Sequence, residues 1–264
     1  MDRPSWAPND VDLSVANPSR IYDYLVGGLH NFHSDRQAAE ALLAKDKNAA
    51  LYAQTNRVFL RRGVRALLDT GVRQFLDLGS GIPAVGNTHE VAQIVDLASR
   101  VCYVAILQDV PNAVAVRGDI RDPEPILMDP AVAGLLDFGL PTAVLMVAVL
   151  HFVPDAADPV GIIRRIRDRA TSGSYLLVSH LSVGGSGSGD HRADAMADYQ
   201  ARTGEPLVSR SHAEVAALFD VWGDLLDPRI VRVPFWRPEP GGLGIADPDV
   251  LGQVPGLAGL ARRP

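Results

Sequence analysis

The stretch FLDLGSGIP (75–83) sets an acid, Asp77, inside an apolar run and follows it with Gly79, Ser80 and Gly81. Glycine lets backbone approach a ligand closely and adopts conformations that other residues avoid. A carboxylate beside such a turn can accept a hydrogen bond from a hydroxyl or an ammonium group. A diphosphate asks for the reverse, namely amide donors at a helix N-terminus and no acid close by. The dinucleotide fingerprint G-x-G-x-x-G is also broken, because the run reads GSGIPA and Pro83 has no amide to offer. These residues point to a cationic or zwitterionic adenosyl ligand rather than NAD, and S-adenosylmethionine, with an amino-acid end and a sulfonium, is the natural candidate. Taken alone, the same glycines serve equally well as a plain tight turn. A second acid, Asp119, follows another apolar run in RGDI (117–120). There it and Ile120 are placed to receive an adenine ring, the carboxylate accepting from the amino group. Capping of the segment that starts at Asp122 is the competing role for Asp119.

Two histidines stand at the ends of apolar runs, His151 in VLHFV and His180 in LLVSH. Imidazole titrates near neutrality, so either can serve as a general base where an acceptor must lose a proton. Each can equally be a structural histidine bonded to a loop carbonyl. The N-terminal IYDYLVGGLHNF (21–32) is poor helix material and suits a lid. In a lid, Tyr22 or Tyr24 would offer an aromatic face to a sulfonium, and Gly28 would permit a tight turn against the ligand. A surface cap whose aromatics fill a groove explains the same residues. Arg20, Asn31 and Arg57 either bind a carboxylate or brace that cap, and Ser80, Asn87 and His89 either line the pocket or, for Asn87, cap a helix.

The elements that must position these groups are legible in outline. Ser34 is placed to cap a helical pattern that runs to Asp69, and Gly71 stops it. Apolar bursts at 73–79, 100–104, 113–120, 142–153 and 174–180 read as buried strands, separated by helical patterns at 88–98, 122–138 and 158–169. In 88–98 the expected inward face is Val91, Ile94, Val95 and Leu97 or Ala98. Wholly apolar strands alternating with helices predict a doubly wound α/β fold on a mostly parallel sheet. Further on, 183–195 reads as a glycine-rich loop, 212–219 as a helix and 229–236 as an edge strand limited by Pro234. The expected division is a helical N-terminal cap over residues 1–70, the sheet domain over 71–240 and an irregular tail over 241–264.

Bulk properties bound the function. The 264 residues are 47% hydrophobic and 21% charged with a net charge of -6, which is ordinary globular composition without the basic footprint of a nucleic-acid binder. The one cysteine, Cys102, excludes a disulfide framework and a thiolate metal site. No apolar run approaches the ~18 residues of a membrane span, and the N-terminus lacks a secretory signal core. The expectation is a cytoplasmic protein that acts on a small molecule and touches neither nucleic acid nor membrane, with a homodimer left open.

Six segments, SRIYDYLVGGLHNFHSDR (19–36), QTNRVFLRRGVR (54–65), RQFLDLGSGIPAVGNTHEVAQ (73–93), VAVLHFVPDAADP (147–159), SYLLVSH (174–180) and RVPFWRP (232–238), carry a closer likeness. In this order the chain resembles the class I S-adenosylmethionine-dependent methyltransferases, and among them an actinobacterial family of S-adenosyl methyltransferases first known as a domain of unknown function. The resemblance implies a Rossmann-like domain behind a helical cap, and methyl transfer from S-adenosylmethionine to a small molecule. One departure stands out: the resemblance leads one to expect an acid directly after the second strand, holding the ribose hydroxyls, and then a helix. Here Val104 runs into AILQDVPNAVAV, and Ala105 to Ala113 is too short for the usual crossover of about a dozen residues. Either the chain lacks this crossover and its acid, with Asp109 as the nearest replacement, or about a dozen residues are missing at this point and Ala105-Ile106-Leu107 is the end of the lost helix. The intact flanks favour the second. A shortened crossover would also suit a non-catalytic module that binds S-adenosylmethionine or its demethylated product. A nucleotide-dependent oxidoreductase is disfavoured by GSGIPA and by the lack of an S/Y-x-x-x-K pair, since the only lysines are Lys45 and Lys47.

Overall fold

Strands with no polar alternation must be covered on both faces, which calls for helices on each side of one sheet. The computed structural model, which describes residues 12–82, 87–105, 110–182, 189–239 and 247–264, has this arrangement. Helices α1 (Pro18–Leu25), α2 (His33–Lys45) and α3 (Ala49–Asp69) precede β1 (Gln74–Gly81), α4 (Thr88–Val95), β2 (Arg100–Ala105) and β3 (Ala113–Val116). Then come α5 (Glu124–Leu127), α6 (Pro130–Leu135), β4 (Ala143–Val147), α7 (Pro159–Arg169), β5 (Tyr175–His180), α8 (Gly189–Thr203) and α9 (His212–Asp220). The chain finishes with β6 (Asp224–Leu225), β7 (Val231–Arg232), α10 (Pro248–Leu251) and β8 (Leu257–Arg262).

The strand order is β3-β2-β1-β4-β5-β8-β6, with β7 also on β8. Strands β1 to β5 pair in parallel, and β8 lies antiparallel to β5, β6 and β7. This is the doubly wound, mostly parallel α/β sheet expected. Side chains alternate between its two faces. Leu76, Met146, Leu176 and Val178 pack with Ile162, Ile163, Leu218 and Phe219 of α7 and α9, while Phe75, Val101, Leu145 and Leu177 pack with Phe59, Leu60, Val64 and Leu67 of α3.

That second layer bears on the expected division at residue 70. Helix α3 serves both sides of it: Phe59, Leu60, Val64 and Leu67 cover a sheet face, while Ala53 joins Ile21, Leu25, Ala38, Ala39 and Tyr199 of α1, α2 and α8 in a smaller core. The reason is visible at Gly63, where a Cβ would overlap the Leu177 Cδ2 methyl and lie 3.0 Å from its Cδ1. Ser34 does not cap α2; Phe32 holds the N-cap position, and the Ser34 hydroxyl donates to Leu13 O at 2.8 Å.

Further expectations are corrected. The tail is not wholly irregular, because Leu257–Arg262 inserts as β8 beside β5. Its glycine made it look like loop, but Gly259 is where Phe219 Cζ would lie 2.9 Å from a Cβ, so a small residue is a packing requirement there. The edge strand 229–236 shrinks to β7, and the loop at 183–195 gives way to α8 from Gly189 onward; residues 183–188 lie outside the described ones. In α4 the inward residues are Val91 and Ala92, while Ile94 (86% exposed), Val95 and Leu97 face outward.

The shortened crossover also resolves differently. Ala105 is a strand residue paired with Gly81, not the end of a helix. From there the chain must fall back about four register positions to Ala113, which pairs with Val101. That is roughly 13 Å, and residues 106–112 can span roughly 23 Å when extended. A helix is therefore dispensable for closing this connection. Asp109, the suggested replacement acid, lies outside the described residues.

Replacing Gly63 by Ala tests the seating of α3. In an exposed helix the change would stabilise by about 1 kcal/mol. Here Leu177 is fully buried and has nowhere to move, so overpacking should win and Gly63→Ala should lose about 1–3 kcal/mol in urea denaturation. A gain in stability would show that α3 does not press on the sheet as described.

Candidate functional site

In open α/β sheets ligands sit outside the carboxyl ends of the strands where the winding reverses. Here the chain winds outward from β1 to β2 and β3 and returns to β4, so the reversal lies between β1 and β4. Asp77 and the glycine turn leave β1 at that point. Gly79 and Gly81 have φ of +83° and +70°, which side-chain-bearing residues adopt only under strain. At Gly79 space demands glycine as well, because a Cβ would overlap the Val149 side chain just beyond β4, whereas one on Gly81 would make only ordinary contact, 3.5 Å from Ser19 Oγ in α1. The turn is thus held between the exit of β4 and the first turn of the cap. Between the two glycines, the Ser80 hydroxyl is buried and finds no partner among the described residues.

Asp77 is 3% exposed, and the Thr88 hydroxyl donates to its Oδ2 at 2.6 Å. Burial pushes its carboxyl up to about 6, with Thr88 and the positive charge of Arg57 pulling the other way. The neighbouring strand contributes Tyr103, whose hydroxyl accepts from His89 N (2.5 Å) and meets His89 Nδ1 at 2.7 Å. His89 is occupied in pinning α4 to β2 and does not open onto a pocket through that nitrogen.

The cap forms the opposite wall. Tyr22 OH donates to Ala53 O at 2.9 Å and accepts from Asn56 Nδ2 at 3.1 Å. Asn56 Oδ1 in turn accepts from Ser179 Oγ at 2.5 Å, and Ser179 Oγ accepts from Ala148 N at 3.0 Å. Ala148 itself has φ of +56°, a conformation uncommon for alanine, at the very end of β4. This chain of hydrogen bonds fixes the cap to the ends of β4 and β5. Arg57, one residue beyond Asn56, places its guanidinium 5.7 Å from the Tyr22 ring centroid and reaches Asn87 Oδ1 at 3.5 Å. Tyr22 is thereby tied through Asn56 to the ends of β4 and β5, with Arg57 over its ring.

Other expected residues are placed differently. The Tyr24 hydroxyl faces Glu40 at 3.4 Å between α1 and α2, so Tyr24 belongs to the cap's own packing. Gly28 is required by Asp23, whose carboxylate would overlap a Cβ there; Asn31 Nδ2 also bonds that carboxylate, at 2.9 Å. Arg20 is paired with Asp35 at 2.7 Å and braces the cap. Asp119 lies beyond the end of β3, half exposed, and Arg121 grips both its oxygens at 2.9 and 2.8 Å, which holds its carboxyl below the ordinary range. Its accepting capacity is spent locally rather than held out to a base. Ile120 packs into the sheet core with Ile126 and Val116.

The two histidines separate clearly. His180 is fully buried, and both ring nitrogens are used: Nδ1 lies 2.7 Å from Leu181 O and Nε2 lies 2.7 Å from Arg210 Nη1. Arg210 can only donate, so Nε2 accepts and Nδ1 carries the hydrogen. No lone pair remains for a substrate proton, which corrects the expectation that His180 acts as a base. His151 sits in the turn after β4, 5% exposed, edge-on to His180 and against Phe152. Its Nδ1 has no hydrogen-bond partner among the described residues, and burial, followed by the charges of His180 and Arg210, holds its pKa well below the ordinary value. The imidazole is neutral at physiological pH and retains a free nitrogen.

Sequence reasoning missed Asn56, Ser179, Thr88 and Arg210 as a group. Ser179 carried a signal, a hydroxyl in an otherwise apolar strand. Arg210 carried none, because its partners His180, Leu150 and Asp155 lie far back along the chain. Among the described residues no group of three His, Cys, Asp or Glu is placed to hold a metal ion, and no helix is long and apolar enough to cross a membrane.

Comparison with known proteins agrees with this geometry. The family described as S-adenosyl methyltransferase matches residues 4–264. A DUF574 family protein of Streptomyces avermitilis MA-4680 superposes with a TM-score of 0.87 at 33% identity, over 96% of this chain and 99% of that one. A protein of Thermobifida fusca YX, proposed to be a methyltransferase, gives 0.88 at 35% identity over 98% and 99%. No curated protein matches the chain. With its entire sheet and cap spanned by these matches, the chain belongs to the S-adenosyl methyltransferase family.

Proposed function

We propose that the protein methylates a small-molecule acceptor by direct displacement, with S-adenosylmethionine held at the rim between β1 and β4. The observation that carries this is a buried carboxylate, Asp77, next to a left-handed glycine pair and a buried, unpartnered Ser80 hydroxyl at the point where the winding reverses. The residues present fit the group: Asp77 accepts from its ammonium, Gly79 and Gly81 let backbone approach, and Ser80 offers a hydroxyl that no other described residue uses. When bound, S-adenosylmethionine supplies an electrophilic methyl carbon on a sulfonium. The protein contributes alignment, a term worth up to roughly 7–11 kcal/mol when reactants are well oriented. The cap wall of Tyr22, Asn56 and Arg57 keeps bulk water from that rim. Where the acceptor must lose a proton, His151 is the base we assign, through its unpartnered Nδ1.

The setting we propose is the cytoplasm of an actinobacterium, without nucleic-acid or membrane partners. The buried free thiol of Cys102, pushed up to about 12 by burial and nearby acids, suits a reducing compartment because it is inert.

Titration calorimetry with S-adenosylmethionine, S-adenosylhomocysteine and NAD(P) tests the reading, since binding of NAD(P) alone would end it. Asp77→Asn should weaken S-adenosylmethionine about 10- to 100-fold, the loss of a charge-assisted hydrogen bond. Because a cation needs the ionised carboxylate, wild-type affinity should rise from pH 5 to 7 with a midpoint near 6, and the variant should show no such rise. A folded Asp77→Asn protein with unchanged affinity removes Asp77 from the site.

His180 generates a separate outcome. Burial, opposed by its bond to Leu181, holds its pKa down at about 4, whereas an unfolded chain takes up that proton near 6.5. The unfolded state thus binds more protons as pH falls through this window, and folding stability should drop between about pH 6.5 and 4, by roughly 3 kcal/mol from this group. His180→Gln should flatten the slope in denaturant titrations across that range. An unchanged slope would mean that the ring is not held neutral by Arg210.

A further inference from the structure

Among the described residues four arginines are buried: Arg20, Arg57, Arg62 and Arg210. A buried guanidinium stripped of water needs acceptors in its place. Arg20 has Asp35 at 2.7 Å and Val15 O at 2.6 Å. Arg62 has Pro234 O and Val233 O at 3.2 and 3.0 Å, so two backbone carbonyls serve its terminal nitrogens although its Nε, too, is buried without a partner among the described residues. Arg210 has Leu150 O, Val153 O, His180 and Asp155. Arg57, only 8% exposed, has the amide oxygen of Asn87 at 3.5 Å, while its Nε is buried without a partner among the described residues, and no ion pair reaches it there. An anion is what this side chain still requires.

Its position says which anion. Asn87 precedes Thr88 at the start of α4, and Thr88 donates to Asp77. Arg57 and Asp77 therefore reach adjacent residues of the same helix start, one from α3 and the other from β1, and the positive charge of the first is felt by the second. A phosphate would satisfy Arg57 but be repelled by Asp77. An α-amino acid carries an ammonium and a carboxylate on one carbon, and it satisfies both.

We propose that Arg57 binds the carboxylate of the methionyl end of the cofactor while Asp77 takes the ammonium of the same carbon. This rests on the reading that the site binds S-adenosylmethionine. The guanidinium presents parallel donors to the two carboxylate oxygens, a match that a lysine ammonium lacks. Because Arg57 belongs to α3 and lies over Tyr22, the amino-acid end of the ligand is what the cap senses.

The test compares S-adenosylhomocysteine with its decarboxylated analogue, which keeps the ammonium and loses only the carboxylate, by calorimetry on wild type, Arg57→Gln and Arg57→Lys. Arg57→Gln should weaken S-adenosylhomocysteine about 10- to 100-fold and leave the analogue within about twofold, with Arg57→Lys intermediate; binding of the analogue at wild-type strength also shows that the variants are folded. Equal losses for both ligands, or none in either variant, would overturn the role of Arg57 while leaving the cofactor site intact. Failure of wild type to bind S-adenosylhomocysteine at all would overturn the cofactor reading and this role together.

Discussion

A carboxylate withdrawn from water is unstable as an anion unless its surroundings replace the lost hydration, and Asp77 at the end of β1 is the group on which the remaining site geometry turns. Thr88 gives it one hydrogen bond, Arg57 gives it a distant positive charge, and these only partly offset the burial that raises its pKa to about 6. Near neutral pH the group is therefore ionised yet under-solvated, a condition that favours capture of a cationic donor over a neutral one. The glycine turn follows from the same requirement. A side chain at 79 would strike Val149, and at both 79 and 81 the positive φ would strain any residue but glycine.

The cap is an electrostatic and mechanical partner of that acid. Helix α3 presses Gly63 onto Leu177 and sends Asn56 to Ser179, so its position relative to β5 is set by packing below and a hydrogen bond above. Those two constraints determine where Arg57 points. Displacing α3 would move the guanidinium away from the start of α4, and with it the contact to the Asn87 amide oxygen and the positive charge felt by Asp77. Placing the division between cap and sheet at residue 70 hides this, because the helix that covers the sheet and the helix that carries Arg57 are the same element.

The fold was legible in the sequence wherever a segment's burial was uniform along its length. The runs 73–79, 100–104 and 174–180 are built around apolar centres with polar residues chiefly at their ends, and each became a parallel strand within a residue or two of its expected bounds. Asp77, Gly79 and Gly81 were legible for a related reason: an acid and two glycines at the end of a buried strand have few structural uses. What failed depended on partners distant in sequence. Leu257–Arg262 looks like loop until Phe219 is known to need Gly259 beside it. His180 looks like a base until Arg210 is seen to occupy its Nε2. Asp119 failed through a near partner, Arg121, that the focus on strand ends passed over. In α4 the helix was legible and Val91 faces inward as expected, but Ile94 and Val95 stand exposed and Ala92 takes the inward place beside Val91.

That short link also changes how a ligand must be held. In doubly wound nucleotide sites an acid after the second strand takes the ribose hydroxyls. In this chain β2 ends on Ala105, paired with Gly81, and carries no acid between Arg100 and Ala105. Hydrogen bonds to ribose are then not available from β2, and Asp119, closed onto Arg121, does not make up the difference at the adenine end. The polar groups that remain uncommitted at the rim, the Ser80 hydroxyl and the Arg57 Nε, flank Asp77. Among the described residues the opposite charges at this rim are Asp77 and Arg57, both withdrawn from water, where the interaction of charges is stronger than it would be in bulk solvent.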